Sequence, residues 1–298
     1  MKRIVKKSFS FLIIVVITLY SVVSYSAVTY YQYDGYKYKD YGINQISLSG
    51  WDDSSDTLVL PDNIVDVFFV SIDDYALRDD TVIKTVDLSR AKHLKKIGTG
   101  AFSGCSSLES VSIPEWTTEL SDYLFQNCTG LKNVSIEAPV TKINTQMFNR
   151  CSSLESFTVP DSVLSIEKYA FGNCTSLSTI VIPKSVENIS STAFANTNAT
   201  FLVYFGTYAH QYAMDNNIAY VLLDGVKLGD ADGDGAVTIN DVTAIQQHVA
   251  DMKYLEGIYL YAADVNRDGV TNISDATDLQ RFLAEYEVEY PIDSVITQ

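Results

Sequence analysis

The sequence predicts a mixed α/β chain in which a β-rich solenoid of six rungs, with a period of about 23 residues, precedes a small all-α unit built on two acidic loops. Three observations predict it. Cys105, Cys128, Cys151 and Cys174 are evenly spaced, and apolar residues keep the same interval around them, which marks a repeat position. The stretch GDADGDGAVTINDV, from Gly229, sets carboxylates at alternate positions around a glycine and then turns helical. ADVNRDGVTNISDA, from Ala263, repeats that pattern further along the chain.

A length of 298 residues accommodates two modest domains, each with its own core. The net charge of −16 argues against nucleic acid as a partner, because phosphate binding needs clustered Lys and Arg and no such cluster follows residue 30. Lys2, Arg3, Lys6 and Lys7 precede an apolar run from Phe9 to Val23, and Ser24 and Ser26 supply small residues before a cut at Ala27. Residues 1–26 therefore read as a secretory signal peptide, since the apolar run is shorter than the ~20 residues that cross a bilayer. Its removal takes four positive charges and leaves −16 − 4 = −20. The expected product is secreted and extracellular, acidic, and without a membrane span in the mature chain.

Aligned on cysteine, Phe102, Phe125, Phe148, Phe171 and Phe194 recur, as do Leu108, Leu131, Leu154 and Leu177. Ile113, Ile136, Val159 and Ile182 follow, then Ile97, Leu120, Ile143, Ile166 and Ile189. An earlier copy, DYALRDDTVIKTVDLS, puts Leu77 in the phenylalanine place, Asp80 in the cysteine place and Leu88 in that of Ile182, making six rungs. In each, a V-x-I stretch alternates apolar with small polar residues, as a strand with one buried face requires, and Pro114, Pro160 and Pro183 end it. The A-F-x-x-C-x-x-L stretch has near-helical spacing. No rung buries its Phe, Leu and Ile alone, so they stack about 4.8 Å apart into one core.

That spacing decides the cysteines, because a disulfide wants Cβ atoms about 3.8 Å apart and in-register neighbours sit about 4.8 Å apart. A ladder of buried thiols is expected, with bridges between neighbouring cysteines as the minority alternative. The ends of the array need caps. Tyr33, Tyr36, Tyr38, Tyr41, Ile46, Leu48, Trp51 and Leu58 to Leu60 suit one end, and TYAHQYAMDNNIAYVLLD suits the other as a short helix and a closing strand. The expected division is a leader at 1–26, an N-terminal cap at 27–60, the solenoid with its C-terminal cap at 61–223, a linker at 224–227, the helical unit at 228–290 and a tail at 291–298. The outward strand residues Ser112, Ser135, Thr158 and Val181 carry little chemistry, and the pattern shows no flat strip of aromatics suited to sugar rings.

The motif I-P-x-x-V-x-x-I-x-x-x-A-F-x-x-C-x-x-L resembles the BspA-like class of bacterial leucine-rich repeats, over about residues 43 to 223. The resemblance implies a leucine-rich-repeat solenoid that presents a protein- or surface-binding face, without fixing its ligand.

Numbered from Asp230, the first acidic loop places Asp230, Asp232, Asp234 and Asp241 at positions 1, 3, 5 and 12, with Gly235 at 6, the Ala236 carbonyl at 7 and Thr238 at 9. The second places Asp264, Asn266, Asp268 and Asp275 alike, with Gly269, the Val270 carbonyl and Asn272. Calcium takes about six to eight oxygen ligands, and this spacing wraps a loop around one ion while glycine permits the sharp turn. Two calcium ions are expected. Position 12 is Asp where most such loops have Glu. Apolar stripes follow, Val242, Ile245 and Val249 in one copy and Ala276, Leu279, Phe282 and Leu283 in the other, and should pack together.

Loop then helix, twice, with a strand end and short linker where an entering helix would stand, resembles a dockerin across Leu228 to about Tyr290. The resemblance implies a calcium-dependent plug for a cohesin domain of a cellulosome scaffold. It assigns recognition to Ile239, Asn240, Gln246, Gln247 and Asp251, and in the second copy to Ile273, Ser274, Gln280, Arg281 and Glu285. The similarity of the two sets implies that cohesin binds in either of two orientations.

Many dockerin-bearing proteins hydrolyse glycosides, but solenoid and dockerin occupy the chain from residue 30 on and leave no room for a catalytic domain. His93, His210 and His248 fall in a repeat, a cap and a helix, with no nucleophile elbow or zinc motif beside them. The expected function is that of a secreted, non-catalytic cellulosome component supporting plant polysaccharide degradation. The alternative is a carbohydrate-binding or hydrolase-associated protein.

Overall fold

The computed structural model describes residues 29–294 apart from 42, 43, 53 and 65, so the expected leader lies outside the described residues. Among these residues no helix is long and apolar enough to cross a membrane. The chain winds into a stack of short, mostly parallel strands. One ladder runs through Gln45–Trp51, Val67–Ile72, Lys96–Ile97 and Glu119–Leu120, and resumes through Lys142–Ile143, Ser165–Ile166 and Asn188–Ile189. A second runs through Thr57–Val59, Thr85–Asp87, Ser110–Ile113 and Asn133–Ile136, and resumes through Ser156–Thr158, Thr179–Val181, Thr200–Val203 and Tyr220–Leu222. The register is the repeat itself, with Val111 paired to Val134 and Ile166 to Ile189.

The second ladder holds four strands before its break and four after it, so about eight turns stack where the sequence pattern shows six copies. Both caps continue it, since Leu58 pairs with Val86 and Tyr220 with Phe201. Both ladders break at one rung, between Leu120 and Ile143 and between Val134 and Phe157. That rung carries Pro139 well after Ile136, whereas Pro114, Pro160 and Pro183 directly follow their strand motifs. The turns hold the stack together there: the N–H groups of Tyr123, Phe125 and Asn127 donate to the carbonyls of Thr145, Met147 and Asn149, each over 2.9 Å.

The A-F-x-x-C segment is a run of turns, not a helix, despite its spacing. Alternate N–H groups serve different rungs: Ser103 donates to Gly100 within its own turn, while Phe102 donates across to Leu124 and Gly104 to Gln126. A helix would use all of them internally and leave the next rung unpaired. The alternation needs left-handed backbone twice in each of the first five rungs, and the sixth, which has no further such turn to serve, keeps it once. Tyr75, Gly100, Tyr123, Gln146 and Tyr169 supply the first position, and Asp79, Gly104, Asn127, Arg150, Asn173 and Asn196 the second.

Inside, Phe102, Phe125, Phe148, Phe171 and Phe194 stack with ring centroids 5.3 to 5.6 Å apart. All four cysteines are free and buried. Each of the last three thiols donates to a carbonyl one rung back, Cys128 to Phe102 over 3.0 Å, Cys151 to Phe125 over 3.2 Å and Cys174 to Phe148 over 3.0 Å. Thr197, where the next cysteine would fall, donates to Phe171 instead over 2.6 Å. At the other end Asp80 accepts the N–H groups of Val82 and Ile83. The position is therefore a hydrogen-bonding position that thiol, hydroxyl or carboxylate can fill.

In the N-terminal cap Ile46, Leu48, Leu58 and Leu60 are buried, and Tyr36, Tyr38 and Trp51 pack against them. Tyr33 and Tyr41 are exposed instead, one on the outermost strand Thr29–Tyr33 and the other just beyond the neighbouring strand Tyr36–Asp40, where no further turn covers them among the described residues. The C-terminal cap is the helix α1 (Tyr208–Asp215), whose first turn is capped by Thr207, followed by the strand Tyr220–Leu222.

Beyond it lie α2 (Ile239–Val249), α3 (Gly257–Ala263) and α4 (Ile273–Leu283). Val242 and Ile245 of α2 meet Ala276 and Leu279 of α4 in a second core, with Phe282 and Leu283 against it. Val249 is exposed, a departure from the expected stripe, since it ends α2 and the returning chain meets His248 instead, whose Nδ1 accepts the Leu255 N–H over 3.1 Å. The helix α3, absent from the sequence reading, lies against the solenoid. The Tyr261 hydroxyl is 2.8 Å from that of Tyr220, its ring centroid is 5.3 Å from that of Phe205, and Ala262 shares the solenoid core with Val226 and Leu228. The tail closes the unit, with Ile292 in the second core and Leu228 exchanging backbone hydrogen bonds with Asp293 and Ser294.

His210 sits buried in this junction, where its Nδ1 accepts from the Gly206 N–H and its Nε2 has no partner among the described residues. Burial holds its pKa below the ordinary histidine value, with Asp224 opposing more weakly. The unfolded chain then takes up the proton first as pH falls below about 6.5, so stability is full above that pH and declines below it. Replacing His210 by Gln is expected to flatten this dependence, which thermal unfolding at about pH 7.5 and about pH 5.5 measures as a smaller drop than in the parent chain.

Burial also pushes the thiols of Cys128 and Cys151 well above the usual range and that of Cys174 up to about 12. All four thiols are expected to resist alkylation near pH 8 in the folded chain and to react together in denaturant, as mass spectrometry after iodoacetamide treatment would read.

Candidate metal centres and docking face

The two acidic loops fold alike. In the first, Asp241 Oδ1 accepts the Asp232 N–H over 3.0 Å and Oδ2 the Thr238 N–H over 2.7 Å. In the second, Asp275 Oδ1 accepts the Asn266 N–H over 3.1 Å and Oδ2 the Asn272 N–H over 2.8 Å. Asp230 accepts the N–H groups of Gly233 and Gly235, and Asp264 those of Asp268 and Gly269. Asp234 and Asp268 accept from Ala236 and Val270, two residues on. These bonds bend each chain inward, and in the first loop the carboxylates of Asp230, Asp232 and Asp234 lie within 4.8 Å of one another. In the second loop Asn266 Oδ1 takes the Asp232 place and accepts the Asp268 N–H.

Thr238 and Asn272 have a second task. Each caps the following helix by accepting the N–H of Asn240 or Ser274, and each forms a capping box with Asp241 or Asp275. One carboxylate therefore closes the loop and starts the helix. The signal was present in T-I-N-D and N-I-S-D, which have the spacing of a capping box. The Ala236 and Val270 carbonyls stand at position 7, and that of Val270 accepts from the Asn272 amide over 2.9 Å.

Glycine is required here for two different reasons. Gly235 and Gly269 have φ of +86° and +87° with open space around them, so the backbone alone demands them. Gly233 has φ of +80° and a Cβ there would come 2.4 Å from the Tyr259 ring, so packing demands it as well. Gly269→Ala is expected to cost roughly 1 kcal/mol of backbone strain. Gly233→Ala should cost more because Tyr259 must move, and thermal unfolding of the two variants compares them.

The donor set fits a hard cation. Asp230, Asp241, Asp264 and Asp275 are buried, and burial raises the pKa of Asp241 and Asp264 against the lowering influence of their N–H donors. A divalent cation offsets the cost of gathering such charges, and each carboxylate oxygen keeps a lone pair beyond its N–H bond. All donors at positions 1, 3, 5 and 12 are oxygens, the kind calcium takes.

The residues assigned to recognition lie on the outer side of α2 and α4. Ile239 is 61% exposed and Ile273 56%, matched by Asn240, Gln246 and Asp251 in one copy and Ser274, Gln280, Arg281 and Glu285 in the other; Gln247 is half-buried. Asp251 and Glu285 both follow their helices in left-handed backbone, at φ of +56° and +60°.

Comparison with known proteins decides what these two parts are. Residues 70–200 match the BspA type leucine rich repeat region in six copies, and residues 228–284 match the dockerin type I domain. The chain carries a leucine-rich repeat region and a dockerin. Both are modules that typically bind and assemble, and dockerin type I domains in general bind calcium and imply a cohesin partner. No curated protein matches the chain. Among solved structures, a leucine-rich repeat protein from Eubacterium ventriosum is similar at 20% identity with a TM-score of 0.50, over 59% of this chain and 51% of that protein. The match thus spans about half of that relative's length and concerns the fold of the repeat region. A leucine-rich repeat protein of T. pallidum is similar at 17% identity with a TM-score of 0.46, over 66% of this chain and 95% of that one. The matched dockerin begins at Leu228, which is also where the solenoid core takes its last residues before α3.

Proposed function

We propose that the protein is a secreted, non-catalytic component of a cellulosome that docks through its dockerin onto a scaffold cohesin while the repeat region faces another protein or a surface. The observation that carries this reading is the repetition of one loop-and-helix design, with isoleucine exposed at the same place in each copy. Apolar side chains in that position suit the centre of an interface and serve no purpose in the dockerin core. The acidic leader-stripped chain accords with an exported assembly part.

Two calcium ions are assigned, one to Asp230, Asp232, Asp234, Asp241, the Ala236 carbonyl and Thr238, the other to Asp264, Asn266, Asp268, Asp275, the Val270 carbonyl and Asn272. A unit this small gains much of its stability from such ions, so binding and folding of the dockerin are linked. The similarity of the two faces supports docking in either of two orientations, one led by Ile239 and the other by Ile273.

Capture of the full chain by an immobilised cohesin is expected with calcium and lost with a chelator. Changing Ile239 alone or Ile273 alone to Ala should leave most of the affinity, and changing both should cost at least about tenfold. A large loss from either single change would reject the two-orientation reading, and capture that ignores the chelator would reject the calcium assignment.

A further inference from the structure

Tyr75, Tyr123 and Tyr169 occupy one place in their rungs, two residues before the buried Leu77, Phe125 and Phe171. Gly100 and Gln146 fill the rungs between them, and all five have φ between +54° and +61°. Left-handed backbone favours glycine, and Gly100 shows that this turn accepts it. Tyrosine at three of the five rungs is therefore conformationally costly and gains little burial, since Tyr75 is 49% exposed and Tyr169 39%, with Tyr123 half-buried.

The rings are laid along the turns. Tyr75 lies over Gly100, its Cε1 only 2.6 Å from where a β-carbon would sit, and Tyr169 packs on Gly172 with Cδ1 at 3.2 Å from such a position. Because successive rungs of parallel backbone stand about 4.8 Å apart, the backbone positions that carry tyrosine on alternate rungs fall about 10 Å apart. An extended β-1,4-linked glycan turns every second sugar the same way at a comparable interval. Beside Tyr123 and Tyr169 runs a chain of uncharged amides. Asn196 donates to Asn173, Asn173 to Asn149 and Asn149 to Gln146, each over 3.0 Å, and Gln126 also donates to Gln146. Each amide keeps donor or acceptor capacity for hydroxyl groups. The Arg78 guanidinium lies over the first tyrosine, 5.4 Å from its ring centre.

We infer that this turn face is a binding platform for an extended β-1,4-linked glucan, with the three tyrosines stacked on alternate sugars and the amides bonded to ring hydroxyls. Strand faces alone do not display the row, because it lies in the turns and skips every second rung. The inference stands apart from the docking reading, which concerns the other end of the chain.

Isothermal titration of the full chain in calcium tests it with cellohexaose, cellobiose and maltohexaose. Cellohexaose is expected to bind, and cellobiose, which reaches one tyrosine, to bind at least about tenfold more weakly. Maltohexaose, built of the same sugar in a coiled chain, should not bind. Tyr75→Gly, Tyr123→Gly and Tyr169→Gly suit the left-handed backbone, so the triple variant is expected to keep its thermal transition and lose cellohexaose binding, and the single variant Tyr123→Gly to weaken it about tenfold. No binding of cellohexaose, equal binding of maltohexaose, or undiminished binding by the triple or the single variant would overturn the inference. Cohesin capture of the same variants, expected unchanged, keeps this outcome separate from that of the docking reading.

Discussion

Each rung of the solenoid must offer its neighbour the same backbone groups at the same places, and that requirement governs everything else in the repeat region. Strands alone do not meet it, because both ladders break at the rung carrying Pro139. The turns meet it there by sending alternate N–H groups across the gap. Left-handed residues twice in each of the first five rungs make that alternation possible, and the stacked phenylalanines and donating thiols fill the space it defines. A residue inserted within a strand or a turn would shift these partners, whereas one in the connection between strands leaves them in place. The insertion that does occur, two residues between the first and second copies, falls where the second ladder still pairs Val86 with Val111.

The dockerin relies on a smaller version of the same sharing. Asp241 and Asp275 each close a loop, cap a helix and stand at position 12, so loop shape, helix start and cation site depend on one side chain. The junction joins the two halves more closely than a linker does. Val226 and Leu228 are buried in the solenoid core, Ala262 joins them from α3, and the hydroxyls of Tyr220 and Tyr261 meet across the boundary. Since Asp264 directly follows α3, the helix that covers the end of the solenoid also leads into the second loop. Whatever orders that loop bears on the last turns of the solenoid.

Much of this was legible in the sequence because a repeat states its own register. The interval between cysteines, with Phe, Leu and Ile around them, was enough for the stack and its buried thiols. The acidic loops were legible because ligand spacing leaves few alternatives. What escaped had physical reasons. Near-helical spacing in A-F-x-x-C disguised a run of turns, whose sign is the left-handed backbone at residues such as Tyr123 and Arg150 that propensity alone would not place there. The further turns of the stack escaped because Leu58 and Tyr220 continue a ladder without the cysteine motif. The helix α3 escaped because GIYLYAA is short and its apolar residues answer to a partner distant in sequence. The same distance hid the exposure of Val249, which depends on what crosses the end of α2.

Amide hydrogen exchange resolved to single residues reads the governing constraint most directly. The account predicts that the N–H groups of Phe125 and Asn127, which with that of Tyr123 bridge the broken rung, are protected as strongly as those of Val111 and Ile180 in the strands. It also predicts that protection continues without a step from the last strand into Leu228. Rapid exchange at Phe125 and Asn127 beside slow exchange in the strands would contradict it, because the turns would then not be what holds the rungs together.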